Sequence, residues 1–210
     1  MKNFLFVILA VFALLIGAYP LIYLFVEHKH TFLNSKPPEI LNNSLWRYSF
    51  FCHIIFGGIA LFIGWRQFGA AFRNKHKSLH KTIGKAYILS VIISSLSGIY
   101  IGFFSHGGMI SSMGFVSLGI IWFITTVVGF LKIKNGDVIQ HQNFMTYSFA
   151  CTFAAVTLRT WSPLLSFLIT TPGLSYHIVA WLCWIPNLIL AYFINRKRSL
   201  KKPIIEANPI

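Results

Sequence analysis

Residues 141–163 read HQNFMTYSFACTFAAVTLRTWSP, a stretch apolar enough to enter a bilayer that nevertheless carries Arg159 well inside it. Taken as one helix, steps of three and four residues back from Arg159 reach Ala155, Thr152, Ser148, Met145 and His141. One face therefore holds a basic group at each end, with mostly small or hydroxylic residues between them. The ends lie about 27 Å apart at about 1.5 Å per residue. A charge at membrane depth costs about 2.5–3.5 kcal/mol on insertion scales and marks a functional site whose partner has to be named. The four acids of the chain, Glu27, Glu39, Asp137 and Glu206, all fall outside the apolar runs. Arg159 must then be neutralised by carbonyls, water, lipid headgroups or a bound anion.

The composition around this stretch is that of an integral membrane protein. Of 210 residues, 56% are hydrophobic and 10% charged, where soluble domains run to about 25% charged; the mean hydropathy is +0.68. The net charge of +14 does not point to nucleic acid, because the Lys and Arg residues sit in short loops between apolar runs. Cys52, Cys151 and Cys183 lie inside those runs without CxxC or CxxCH spacing, which excludes a zinc ribbon and a covalent haem.

The apolar runs predict an all-α, polytopic fold in one membrane domain, residues 1–210, with six transmembrane helices at about 3–26, 45–68, 83–104, 113–131, 143–169 and 176–194. The first run is longer than a signal-peptide core and reads as a retained span kinked at Pro20. In the second, His53 shares a face with Gly57, Ala60 and Gly64, a groove for a neighbouring helix or a flat ligand. The third repeats Ser90, Ser94, Gly98 and Gly102 at four-residue spacing, a close-packing seam. The fourth has no ionisable group and reads as scaffold; spans two, three, five and six form the working bundle, with one and four peripheral. Pro163 and Pro186 interrupt spans five and six singly, and Trp161 and Pro163 allow span five to end early, with Arg159 snorkelling outward.

Orientation follows from the basic residues. Lys2, six between positions 66 and 85, Lys132, Lys134 and five between positions 196 and 202 fall on one side; Lys29, Lys36 and Arg47 fall on the other. The first side is cytoplasmic by the positive-inside rule, so both termini are expected to be cytoplasmic, in a plasma membrane. The lipid bilayer is one expected partner and anionic headgroups at the basic face are another; a homo-oligomer is also allowed. This topology layers the titratable groups. His80 and His141 start helices at the cytoplasmic edge, whereas His53 and Arg159 lie about 12 Å and about 15 Å deep in the outer half, where they can share a site.

The segments HIIFGGIALFIGWRQF, SLHKTIGKAY, the HQNFM start of span five, AAVTLR and AWLCWIPN resemble the bacterial predicted-membrane-protein family catalogued as domain of unknown function 2306, over about residues 45–195. The resemblance implies a membrane protein, supplies no activity, and picks out His53, His80, His141 and Arg159 together with Trp181, Trp184, Pro186 and Asn187.

The residues themselves lead first to b-type haem and transmembrane electron transfer, with His80 and His141 holding the iron and Arg159 suited to propionates, although about 20 Å of helix separates it from that pair. An enzyme, if this is one, would be a haem-linked membrane oxidoreductase. The alternatives are binding or transport of a small anion or acidic metabolite, with Arg159 as counter-ion and histidines as a proton relay, or a cofactor-free accessory subunit. Transport would be supported by paired broken helices, which the sequence does not display. A zinc hydrolase has no HExxH, and Lys75, Lys77 and Lys81 crowd His76 and His80.

Overall fold

The computed structural model describes residues 2–27, 30–171 and 173–200, and among them there is no strand. The helices are α1 (Lys2–Gly17), α2 (Ile22–Phe25), α3 (Pro38–Leu41), α4 (Ser44–Gly64), α5 (Ala70–Lys75), α6 (Lys77–Gly102), α7 (Gly108–Lys134), α8 (Val138–Thr152), α9 (Ala154–Leu168), α10 (Leu174–Leu182) and α11 (Ile185–Leu200). Five stretches are long and apolar enough to cross a membrane: Phe6–Phe25, Ser44–Phe68, Lys77–Gly102, Gly108–Lys134 and Leu174–Leu200. The fifth expected span, about 143–169, is divided at Phe153 into α8 and α9 and is not among the five. Lys29, Lys201 and Lys202, which entered the charge count, lie outside the described residues.

Local chemistry sets the boundaries. Asn43 caps α4 by accepting from the backbone N–H of Trp46 at 3.1 Å, and Asp137 caps α8 by accepting from that of Gln140 at 3.0 Å. Pro20, which has no N–H to give, marks the end of α1 with a 3₁₀ turn over Tyr19–Leu21. Gly107 precedes α7 with φ of 83°, a left-handed turn that also brings its backbone against the His177 ring.

Close approach at glycines assembles the bundle. A methyl added at Gly98 of α6 would sit 2.8 Å from the His53 ring of α4, and one at Gly57 would sit 2.9 Å from Ser94 Oγ. Of the two occupants expected for this face, a neighbouring helix or a flat ligand, the facing helix α6 fills it. The pairing is reciprocal: His53 Nδ1 donates to the Ser94 carbonyl at 2.9 Å, and the Ser94 hydroxyl donates to the His53 carbonyl at 2.8 Å. Gly119 admits Ile99, Gly129 admits Met145 and Gly114 meets the backbone of Ala180, so α7 packs on α6, α8 and α10. The fourth span is central, not peripheral. It was expected at the edge because it lacks charge, but its buried Trp122, Thr125 and Thr126 carry the contacts.

At mid-bundle a circuit of donors joins α6, α7 and α8. The Trp122 indole N–H donates to Thr152 at 2.9 Å; Thr152 and Ser148 each lie 2.8 Å from the Tyr87 hydroxyl; Ser148 and Thr126 are 2.6 Å apart; and Thr126 donates to the Trp122 carbonyl at 2.7 Å. The two ends fix the direction, Trp122 to Thr152 to Tyr87 to Ser148 to Thr126 and back to Trp122, with every polar group satisfied in a site closed to solvent. Ser148→Ala and Tyr87→Phe should each cost about 0.5–1.5 kcal/mol, the worth of hydrogen bonds lost without an orphaned donor, because Thr152 can turn to the residue-148 carbonyl at 3.0 Å and still accept from Tyr87 where that hydroxyl remains. Thermal unfolding midpoints of the two variants in detergent check the size.

Candidate functional site

The sequence places Arg159 on α9, beyond the division at Phe153. Two divisions face one another. Asn187 of α11 donates to the carbonyls of Ala150 at 3.3 Å and Cys183 at 3.0 Å and to Thr157 Oγ1 at 3.1 Å, while Thr157 itself donates to the Cys183 carbonyl. Carbonyls from α8 and from the end of α10 are thus held by side chains across the gap, the condition under which a helix can be interrupted inside a membrane. Pro186 adds to the second interruption by withholding a donor from its own helix. Paired interruptions are therefore present although the prolines alone did not show them. Pro163 lies inside α9 and does not end it.

The Arg159 side chain turns inward. One guanidinium N–H donates to the Ala155 carbonyl at 3.0 Å, and the group lies 4.3 Å from the centre of the Tyr19 ring. Such a contact contributes about 0.5–2 kcal/mol. Tyr19 sits on the 3₁₀ turn at Pro20, so the first span forms a wall of the site, where it was expected to stand aside.

Arg159 and His53 line one cavity of about 630 Å³ in company with Tyr19, Tyr23, Trp46, Trp122 and Thr152. They are close enough for their charges to interact. A carbonyl only accepts, so His53 Nδ1 carries the proton it gives to Ser94 and Nε2 keeps its lone pair. Lys36, from the loop after α2, reaches the same cavity. Its side chain is 6% exposed, lies over the Phe32 and Trp46 rings, and donates to the Phe104 carbonyl at 2.6 Å and to His106 Nδ1 at 3.1 Å. Among the described residues no Asp or Glu lines the cavity, and the buried Trp46 indole N–H has no acceptor. The described lining thus carries two cations, Arg159 and Lys36, and no carboxylate.

The other two expected residues stand apart. His80 and His141 are within electrostatic reach of one another and line neither this cavity nor its neighbour. His141 Nδ1 donates to the Gly129 carbonyl at 2.8 Å, whereas His80 Nδ1 is buried with no partner among the described residues, as is the Gln67 amide. His177 binds Ser111 Oγ at 3.0 Å and His106 Nε2 donates to the Ser35 carbonyl at 2.6 Å, so neither serves as a second ligand beside His53. No group of three or more His, Cys, Asp and Glu residues suited to a metal occurs among the described residues. Sequence reasoning missed Tyr19, Trp46 and Lys36 as site residues; the Pro20 kink was the available signal for the first.

A model of the family described as "Predicted membrane protein (DUF2306)" matches residues 50–195. The match spans His53, His80, His141, Arg159 and the Trp-x-x-Trp-x-Pro-Asn segment, and leaves Tyr19 and Lys36 outside it. No curated protein matches the chain, and no solved structure does.

The loop carrying Lys36 is pH-sensitive by construction. Burial and then the Lys36 charge hold His106 below the ordinary imidazole value of 6.5, and burial lowers Lys36 to about 8. A base depressed in the folded state contributes stability above its ordinary value and loses it as pH falls. Protonated His106 cannot accept from Lys36. Hydrogen exchange at residues 31–36, corrected for intrinsic rate, should rise as pH falls below 6.5. His106→Gln, which keeps a donor and an acceptor but does not titrate there, should abolish the rise.

Proposed function

The chain belongs to that family of predicted membrane proteins, and from this premise we propose that it is a multi-pass protein of the bacterial inner membrane that binds an amphipathic anion in its outer half, with Arg159 as counter-ion. The reading takes both termini as cytoplasmic and α8 with α9 as a divided fifth span. It rests on one observation: Arg159 and Lys36 line a single cavity whose described lining holds no carboxylate. Two cations in a low-dielectric site favour an anion strongly, and the aromatic and aliphatic remainder of the wall suits an apolar body. Transport is compatible with the facing helix interruptions, since broken helices accompany substrate sites near the membrane centre. Haem held by His80 and His141 fits less well. The Nδ1 bond of His141 leaves its Nε2 correctly placed for iron, but the pair lies away from the cavity, and His53 is the one histidine among the described residues of its lining.

Protein in nanodiscs of zwitterionic lipid, titrated with decanoate, should show a raised unfolding midpoint, while decanol at the same concentration should not raise it. Arg159→Leu should weaken decanoate at least tenfold, about 1.4 kcal/mol, and Arg159→Lys should retain part of the binding. Equal responses to the acid and the alcohol, or undiminished binding in a folded Arg159→Leu protein, would overturn the reading.

A further inference from the structure

A second, almost wholly apolar space lies on the outside of the bundle between the first span and α4. It is lined by Leu21, Leu24, Ile55, Ile59 and Phe62 among others, without a charged residue, and its volume is also about 630 Å³. Gly17 and Gly58, both in its wall, bring the two backbones so close that a methyl on Gly58 would lie 2.6 Å from the Gly17 carbonyl oxygen. Beyond that contact the 3₁₀ turn at Pro20 departs from helical geometry. Pro20, Tyr23, Ile54 and Gly58 line this groove and the Arg159 cavity alike, so those residues form a wall common to the two spaces. The rim residues Leu24, Leu21 and Ile55 are 74%, 55% and 46% exposed, on the surface a bundle of this kind turns to lipid.

From this shared wall we infer that the ligand is an anionic lipid that enters sideways from the outer leaflet, its headgroup against Arg159 and Lys36 and an acyl chain in the groove. The inference rests on the anion reading above and adds the ligand class and the route. What commits the groove to this occupant is the charge of the cavity behind the wall, where Arg159 and Lys36 stand with no carboxylate in the described lining. An acyl chain that leaves the bilayer for the groove exchanges one apolar surrounding for another, so the groove supplies the route and the headgroup supplies the selection.

The test uses phosphatidic acid and phosphatidylcholine carrying the same mid-chain diazirine, in zwitterionic nanodiscs, with crosslinks mapped by mass spectrometry. Phosphatidic acid should label Leu21, Leu24, Ile55 and Phe62, unlabelled phosphatidic acid should compete, and phosphatidylcholine should label these positions at least tenfold less. Ile59→Trp, at a 41% exposed position that tolerates bulk, should reduce the groove crosslinks at least tenfold while leaving the decanoate response intact; Ile55→Trp is the second filling variant. Even labelling by both lipids over the groove and over remote positions such as Leu89 and Phe167, or groove labelling that neither filling variant changes, would overturn lateral lipid entry. Should the decanoate response persist in that case, the anion site would stand without it; should it be absent too, both would fall.

Discussion

A guanidinium in an apolar bundle, with no carboxylate in the described lining of its cavity, must be solvated by whatever the fold can bring, and this requirement organises the site around Arg159. The contacts are a ring face, from Tyr19, and a carbonyl one turn back, from Ala155. Each is weaker than an ion pair and neither neutralises the charge. Tyr19 is available because α1 stops at Gly17 and Pro20 turns the chain. Arg159 is on a helix separate from α8 because Asn187 and Thr157 engage the backbone at the interruption. The cation therefore depends on two irregularities in otherwise regular helices, and each irregularity has a side chain or a proline to account for it.

Glycine and hydroxyl chemistry supply the regular part. The α4–α6 seam closes on Gly57 and Gly98, with His53 and Ser94 exchanging ring, hydroxyl and carbonyl bonds across it. Lipid gives helices little hydrophobic reason to associate, so close contact and interhelical hydrogen bonds do the joining. At the basic end of the bundle Arg198 of α11 donates to Asn143 and Asn195 and ties α11 to α8. The chain has four acids against eighteen Lys and Arg; Arg159 and Arg198 lean on carbonyl and amide oxygens, while Lys132 and Asp137 pair at 3.9 Å.

Much of this was legible in the sequence, and the boundary is physical. Hydropathy located the membrane-length helices, because length and apolarity are local properties; Pro20 announced its kink, and the Ser and Gly spacings announced the seams. The division at Phe153 was hidden because its cause, the Asn187 amide, lies some thirty residues downstream, and no local pattern reports a side chain that arrives from another helix. For the same reason span four read as scaffold at the edge: its lack of charge said nothing of Trp122 and Thr126, whose partners are on other helices. His53 and Arg159 could be assigned similar depth from residue counting alone, and the structure brings them to one cavity. Lys36 could not be placed, since a loop residue beside Pro37 carries no periodicity to say where it folds.

The Trp122 circuit begins and ends on one residue, and that closure has an electrical meaning. A proton hopping along hydroxyls needs an entrance at one end and an exit at the other; here the last hydrogen is spent on the carbonyl of the residue that supplied the first. This ring of side chains therefore offers a proton no exit: each hydrogen in it is already committed to the next acceptor.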